Sequence, residues 1–532
     1  MVRRLLNGEI KSLPAAAMIL AAASLVSRVV GVLRDRILAG EFGAGEKLDI
    51  YYAAFRLPDL LFQLLVLGAL SAGFIPMFTT LLQQDKKSAW LFVNNVLHII
   101  FISFGIVAVF VFVSAPLLVR TMIAPGFSFE AQHVTVLLTR IMLLSPIFLG
   151  ISALFTGIAQ TFRRFFVPAI APIFYNVGIM AGALFFAPRF GIVGVAWGVI
   201  AGAFLHAIIQ WPAVYAVGFR YTFVCVWDEK MRALVRLMVP RILTLGIANI
   251  ELVVLTAFAS SLPKGSLSIF NFANNLQSFP IGIIGASYAV AAFPSFSEAV
   301  ARNDRDGFIQ SFSGVVRQLF FFMIPATVIF IALKAQIVRS ILGTGAFDWQ
   351  ATVLTFETVQ AFAYGFIAQT IFFVLVRGFW AYADTIRPSI IAVVGAIATL
   401  GVAFVGRNIF GVSGLALALS LGVIVETIVL WIVLRRRVGS LDEMRIVFSV
   451  LKMIIAAIAM GFVTQYIKYV LASLIGTETF LGITTQGLTA GVAGLFVYCG
   501  VLWCLRSSEL FAIGEGIRRR IRPHVEQLEL FE

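Results

Sequence analysis

The sequence predicts an all-α polytopic membrane protein with about fourteen transmembrane helices, and three observations carry that prediction. The chain of 532 residues is 60% hydrophobic and only 12% charged, with a mean hydropathy of +0.99. A soluble domain has about twice that charge fraction. Apolar stretches repeatedly exceed the roughly 20 residues that a spanning helix needs, and no run of about ten alternating residues resembles a barrel strand. Cations, finally, gather in the short connections on alternate sides of these stretches, the pattern that sets the orientation of spans.

Taken in order, the spans centre near residues 27, 64, 105, 145, 175, 203, 247, 282, 322, 363, 396, 422, 458 and 493. One set of connections holds Arg3, Arg4 and Lys11, Lys86 and Lys87, Arg163 and Arg164, and the group from Arg220 to Arg236. It continues with Arg302 and Arg305, Arg377 and Arg387, Arg435 to Arg437 with Arg445, and five arginines from Arg506 to Arg522. That side carries 24 positive residues; the other carries 6, namely Lys47, Arg120, Arg189, Lys264, Arg339 and Arg407. The bias predicts two cytoplasmic termini and explains the net charge of +14 better than nucleic-acid binding does. Met1-Val2-Arg3-Arg4 precedes no small-residue cleavage site, so no cleavable signal peptide is expected. Cys225, Cys499 and Cys504 have no metal-ligand spacing and read as reduced, structural thiols.

The first two spans hold charge where spans should have none. At about 100° per residue, Ser24, Arg28, Gly31 and Asp35 share one helical face, with Arg34 roughly 120° away. Tyr52, Arg56, Asp59 and Gln63 form a polar stripe down the next helix, which Pro58 is expected to kink. A charge at membrane depth costs at least a few kcal/mol unless it faces protein or water. Two such stripes predict a hydrated, cation-bearing cavity. Arg28 and Asp35 lie nearly two turns apart, too far for easy pairing within the helix.

The chain also repeats. Phe190-Gly191-Ile192-Val193-Gly194-Val195-Ala196 returns as Phe410-Gly411-Val412-Ser413-Gly414-Leu415-Ala416, and Pro168 returns as Pro388. Phe74-Ile75-Pro76-Met77-Phe78 likewise matches Ala292-Phe293-Pro294-Ser295-Phe296. These nearly equal shifts predict two six-helix lobes related by pseudo-two-fold symmetry, residues 1–225 and 226–440. Two C-terminal helices follow in 441–505, then a basic amphipathic tail over 506–532 expected to lie on the cytoplasmic surface.

Other polar groups inside the spans are weaker candidates. Arg140 and Arg241 read as cavity residues or snorkelling anchors, and Asn249 and Glu251 as coupling-ion or proton ligands. Asn271, Asn274, Asn275 and Ser278 make an uncharged stripe in span eight, while His98 and His206 stand alone in apolar helices and read as packed or pore-lining and not as metal ligands. No GxxxxGK[ST] motif is present, so ATP hydrolysis by that route is not expected. The loops are short and basic, without the acidic or histidine clusters of a lipid-modifying enzyme. The chain therefore reads as a transporter and not an enzyme; a non-transporting scaffold or a lipid-modifying enzyme is the alternative.

Ser27-Arg28, Gly31, Arg34-Asp35, Phe42-Gly43-Ala44-Gly45, Asp49, Ala54-Phe55-Arg56-Leu57-Pro58, Gly68-Ala69 and Phe74-Ile75-Pro76 resemble the opening of the MurJ (MviN) family. The likeness extends to Arg163-Arg164-Phe165 with Pro168, to Leu237-Met238-Val239-Pro240 and to Phe293-Pro294-Ser295-Phe296. Members are lipid II flippases of bacterial peptidoglycan synthesis, within the MOP exporter superfamily. The resemblance implies a V-shaped pair of lobes around a cationic cavity, with helices thirteen and fourteen forming a groove for a polyprenyl tail. It implies a multi-pass protein of the bacterial plasma membrane that works as a monomer on a lipid-linked oligosaccharide diphosphate, with no nucleic-acid partner and no cofactor. The energy source would be a coupling ion (Na⁺ or H⁺) or the membrane potential.

By the same resemblance, the family's essential first-helix arginines fall on Arg28 and Arg34, its outer-loop aspartate on Asp49 and a second-helix basic residue on Arg56. The sequence departs from the family where a further second-helix arginine and an acid are replaced by Phe62 and Leu67. It departs again where an eighth-helix arginine gives way to the Asn274-Asn275 pair. The substrate-binding set is therefore Ser27, Arg28, Arg34, Arg56, Asp59, Asn274 and Asn275. Asp35, Asp49, Glu251, Asp384 and Pro168 are the candidates for coupling or gating. The alternative cargo is another undecaprenyl-linked glycan or another substrate of the superfamily.

Overall fold

Apolar runs this long have one way to satisfy their backbone in lipid, and the chain takes it: every regular element among the described residues is helical. A computed structural model describes residues 13–67, 73–476 and 479–515. Nine helices among them are long and apolar enough to cross a membrane, from Lys86–Ile123 to Phe480–Cys504. The pair Trp349–Ala363 and Phe366–Ala381, bent by 43°, makes a tenth. One of the nine, Ile386–Val438, runs for 53 residues, about 80 Å if straight against a hydrocarbon core of about 30 Å. It breaks at Gly411, where φ is 58° and ψ −133°, and thus contains two apolar arms. The first two expected spans are the helices Leu13–Phe42 and Glu46–Leu61, and these hold the charges.

Pro58 lies inside its helix as expected, and the ladder widens into a π-helix over Phe62–Leu67 one turn later. Two other π-helices, Val119–Ile123 and Ile281–Ala286, also begin just after a proline, Pro116 and Pro280. A missing N–H leaves a carbonyl unmatched, and a local change of register accommodates it.

The chain falls into two compact units. The first comprises residues 1–272 with 342–351, the second 273–341 with 352–532. Phe74, Phe78, Phe92, Phe155 and Phe219 form the core of the first unit. Phe296, Phe308, Phe312, Phe379 and Leu430 do the same in the second. Small residues bring helices together within the first unit, where a Cβ on Gly182 would stand 2.6 Å from the Gly198 Cα. These units follow packing, whereas the 1–225 and 226–440 boundary follows the repeat, so residues 226–272 belong to the second lobe by sequence and to the first unit by packing.

The repeat is visible in the backbone. Gly191 has φ 59° and ψ −145°, close to the values at Gly411, its counterpart in the second half. The π-helices at Phe62 and Ile281 begin at matching points of the two halves. Arg163 and Ala383 both take positive φ, at 55° and 56°. Asp85 and Asp304 each cap the following helix, and so do Ser128 and Asp348.

In the tail, Glu509 is buried and accepts from Arg317 at 2.6 Å and from Ser449 at 2.9 Å, which ties the chain after Arg506 to the second unit. Residues 508–515 are helical; Ile517, Arg518, Arg519, Arg520, Ile521 and Arg522 lie outside the described residues, as do Arg3, Arg4, Lys11, Gly68-Ala69 and the side chain of Arg241.

Candidate functional site

The charged stripes become a polar network inside the first unit. On the Leu13–Phe42 helix Ser27 and Arg28 are half-buried, and Arg34 is held on two sides. Its Nε and Nη2 donate to the neighbouring Asp35 carboxylate at 3.0 and 2.7 Å, and its Nη1 donates to Asn176 Oδ1 at 3.0 Å. Asp35 thus pairs with the residue beside it. Asn176 comes from the Phe166–Ala181 helix, where Pro168 is buried in the first turn and its missing N–H leaves no intrahelical bond unmade.

On the Glu46–Leu61 helix Arg56 reaches the seventh and eighth spans. Its Nε donates to Thr256 Oγ1 and its Nη2 to Asn271 Oδ1, both at 2.8 Å. One turn on, Gln63 donates to Asp59 at 2.9 Å and accepts from Asn249 at 3.1 Å. Three helices are thereby joined through side chains that an apolar span would not otherwise hold. The hydroxyls of Tyr52 and Tyr175 are buried there and find no hydrogen-bond partner among the described residues. A cavity of about 210 Å³ opens beside Asp59, lined also by Pro58, Phe62, Pro172, Tyr175 and His206. Arg28, Arg34 and Arg56 share these helices with the carboxylates of Asp35, Asp49 and Asp59. Arg56 commits two of its five N–H donors to neutral oxygens, with Asp59 one turn along the same helix.

Asp49 is buried at the entry of its helix and has a definite task. It accepts from Gly265 N at 2.6 Å, Ser268 N at 2.7 Å and Ser268 Oγ at 2.5 Å. That is an N-cap supplied from a distant segment to the Ser266–Pro280 helix, whose orphan donors and dipole both favour a carboxylate. Lys264 and Glu46 pair beside it at 2.9 Å. Glu251 is half-buried on the Glu229–Ser260 helix. The Ser266–Pro280 helix gives Asn271 to the first unit and Asn274 and Asn275 to the second, where Gln277 donates to Asn274 Oδ1 at 2.9 Å. Asp384 lies in a turn of the second unit and pairs with Arg387 at 3.3 Å and Arg437 at 3.0 Å.

Several partners escaped the sequence. Asn176 and Thr256 lie 142 and 200 residues from the arginines they bind, and neither stands in a polar stripe. His98 is packed and bonds Asn94 O and Tyr221, while the half-buried His206 lines the cavity with its Nδ1 2.5 Å from Ser152 Oγ. Arg140 donates to Phe112 O at 3.0 Å and stacks on that ring, as an anchor would.

The fold is one shared with membrane proteins of known structure. It matches the solved structure titled "Lipid II flippase MurJ, inward closed conformation" with a TM-score of 0.76 at 22% identity, covering 91% of this chain and 99% of that one. A multidrug-resistance MATE family transporter of the MOP superfamily follows at 0.66 and 15%, covering 78% and 96%. Over residues 38–484 the sequence matches the model of the family described as lipid II flippase MurJ, and the chain belongs to that family. Among its relatives, the probable lipid II flippase MurJ of Rhizobium tropici is 27% identical over 490 residues, 89% of this chain and 90% of that protein. The lipid II flippase MurJ of Burkholderia cenocepacia is 27% identical over 425 residues, 78% and 82%.

Proposed function

We propose that this chain moves lipid II from the inner to the outer leaflet of the bacterial plasma membrane by alternating access, with both termini in the cytoplasm. The observation that carries the reading is the arginine network of the first unit, in which Arg56 is held at membrane depth by Thr256 and Asn271. A planar guanidinium stays ionised when buried and presents a fork that fits a diphosphate. Arg28, Arg34 and Arg56 hold the diphosphate, Ser27 adds a neutral contact, and Asp59 orients the stripe. The chain acts as a monomer, and its isoprenoid cargo tail stays in lipid. Replacing Arg28 or Arg34 with alanine should abolish rescue of a strain depleted of its own lipid II flippase. Growth like wild type with both replaced, at equal expression, defeats the mechanism.

Phe62 and Asn275, standing where the family pattern has arginines, favour one second reading: an undecaprenyl-linked glycan other than lipid II. Lipids co-purified with the protein, identified by native mass spectrometry, separate the two. No cofactor enters either scheme. The energy source is a Na⁺ or H⁺ gradient or the potential, which supplies about 2.3 kcal/mol per charge across 100 mV. Asp35, Asp49, Glu251 and Asp384 are the acids to neutralise, with Pro168 as a gating position. Reconstituted flipping at one rate with and without gradients removes coupling from the scheme.

A further inference from the structure

Two lysines of the second unit lie inside apolar helices and outside the cation-rich connections. Lys468 interrupts the Glu443–Leu474 helix, and Lys334 opens the Lys334–Leu342 helix just after the Arg305–Ala332 helix ends. Lys468 Nζ donates to the Ala332 carbonyl at 2.9 Å, two residues before Lys334. Lys334 Nζ donates to Gln360 Oε1 and stands 4.9 Å from the Phe356 ring centre. The two ammonium groups are close enough to feel each other's charge. Their named partners are neutral, and among the described residues neither forms an ion pair.

An apolar groove of about 690 Å³ ends where these lysines begin. Its walls run from Phe320 to Ala332 on one helix and from Val450 to Gln465 on the other, three residues short of Lys468. Twelve residues of helix rise about 18 Å, more than half of a hydrocarbon core of about 30 Å. A groove so long and so apolar fits a hydrocarbon chain. Annular lipid would cover such a surface anyway, but it does not explain two neighbouring cations at one end of it whose named partners are neutral.

We infer that Lys334 and Lys468 are a phosphate-binding end to this groove, taking the diphosphate of a polyprenyl-linked lipid whose chain lies along it. The inference rests on the proposed cargo class. By the charge bias of the connections the lysines stand on the outer side, so the site receives the diphosphate after it leaves the arginines of the first unit. A diphosphate carries more charge than the single phosphate of a bulk phospholipid and suits two ammonium groups better. Each lysine has three donors and gives its partner one, so both retain donors for the ligand.

The test is native mass spectrometry on the full chain with undecaprenyl diphosphate, phosphatidylglycerol and inorganic diphosphate as separate probes. The K334Q/K468Q protein should lose at least about tenfold of the undecaprenyl diphosphate adduct, the scale of one charge-assisted contact. Phosphatidylglycerol adducts should stay unchanged, inorganic diphosphate should bind weakly, and K334R/K468R should keep the adduct. Because Lys468 also holds the Ala332 carbonyl, K334Q alone supplies a version that leaves that bond intact. An unchanged undecaprenyl diphosphate adduct in the folded double variant overturns the inference and spares the cargo reading. Equal loss of phosphatidylglycerol overturns it too, as a general lipid contact. Wild-type protein that binds no undecaprenyl diphosphate overturns both.

Discussion

The second helix of each repeat shows how far the two halves agree. Glu46–Leu61 and Ser266–Pro280 both run into π-helices, at Phe62 and Ile281. Aligning those two breaks places Arg56 on Asn275 and Asp59 on Ser278. The backbone device is kept and the charge is not. Arg56 draws Thr256 and Asn271 into a network, whereas Asn274 binds Gln277 within its own helix. The repeat thus supplies a scaffold of breaks and caps, and the buried charge of this helix is written onto one copy of it.

The sharpest way to break the contrast is Arg56→Asn, which gives the first helix the residue of its counterpart. Lipid II flipping in vesicles is expected to fall by about 10–100-fold, the loss of one or two charge-assisted contacts. The fold should persist, because Thr256 and Asn271 keep bonds to Leu252 O and Leu267 O and a buried charge is removed. Flipping at the wild-type rate would mean that Arg56 is a structural strut.

Asp49→Ala comes next and acts on stability. It leaves Gly265 N, Ser268 N and Ser268 Oγ without their acceptor in a buried place. The cost is about 3 kcal/mol, read as a lower melting midpoint in detergent, with Asp49→Asn milder. An unshifted midpoint would return Asp49 to the coupling candidates alone.

This residue also marks where sequence reasoning stops. The stripe Tyr52, Arg56, Asp59 and Gln63 is legible because helical spacing is local. The repeat is legible because Gly191 and Gly411 need a conformation that glycine adopts freely. The partners of Asp49 lie 216 and 219 residues away, and no local rule reaches them. Helical spacing looks for a partner of Asp35 one or two turns off, yet Asp35 binds the adjacent Arg34, whose long side chain curls back around the helix. Thr256 is hidden in an apolar run, where a hydroxyl draws attention only once its arginine is seen, whereas Asn249 stands out as an amide but its pairing with Gln63 does not.

Gly191→Ala and Gly411→Ala test the shared scaffold. Both glycines have φ near +58° with strongly negative ψ, and a Cβ at either meets nothing within 4 Å. The penalty is therefore conformational, about 1–3 kcal/mol at each site. Near-equal falls in melting midpoint are expected from the two variants. A large fall from one and none from the other would show that the repeat is kept in shape but not in energetics.

Asn275→Arg is the reverse of the first exchange and should change little. It restores a charge that the family carries, on a helix that already presents Asn271 and Ser278. Flipping should persist and substrate binding should tighten, measured beside thermal stability. Loss of both would argue that this branch carries a less anionic cargo, because an unpaired arginine would then sit desolvated.

The smallest effect belongs to the caps. Asp85 accepts from Lys87 N at 3.0 Å and Ser88 N at 2.9 Å at the start of the Lys86–Leu118 helix. Asp304, its counterpart in the second half, accepts from Gly307 N at 2.8 Å. Bonds from Ser88 and then Lys87 hold the exposed Asp85 carboxyl below the usual carboxylate range. A carboxylate favoured in the folded state stabilises it at any pH above its ordinary value of about 4, and that contribution fades as pH falls through the lowered folded value. The gap in melting midpoint between wild type and Asp85→Asn should therefore be flat from neutral pH down to about 4 and shrink below it. Asp304→Asn should open a narrower gap at neutral pH, since that carboxylate accepts one backbone N–H in place of two. A gap for Asp85 that stays constant into acid would mean that the amide caps as well as the carboxylate, and that the two copies of this device rest on geometry and not on charge.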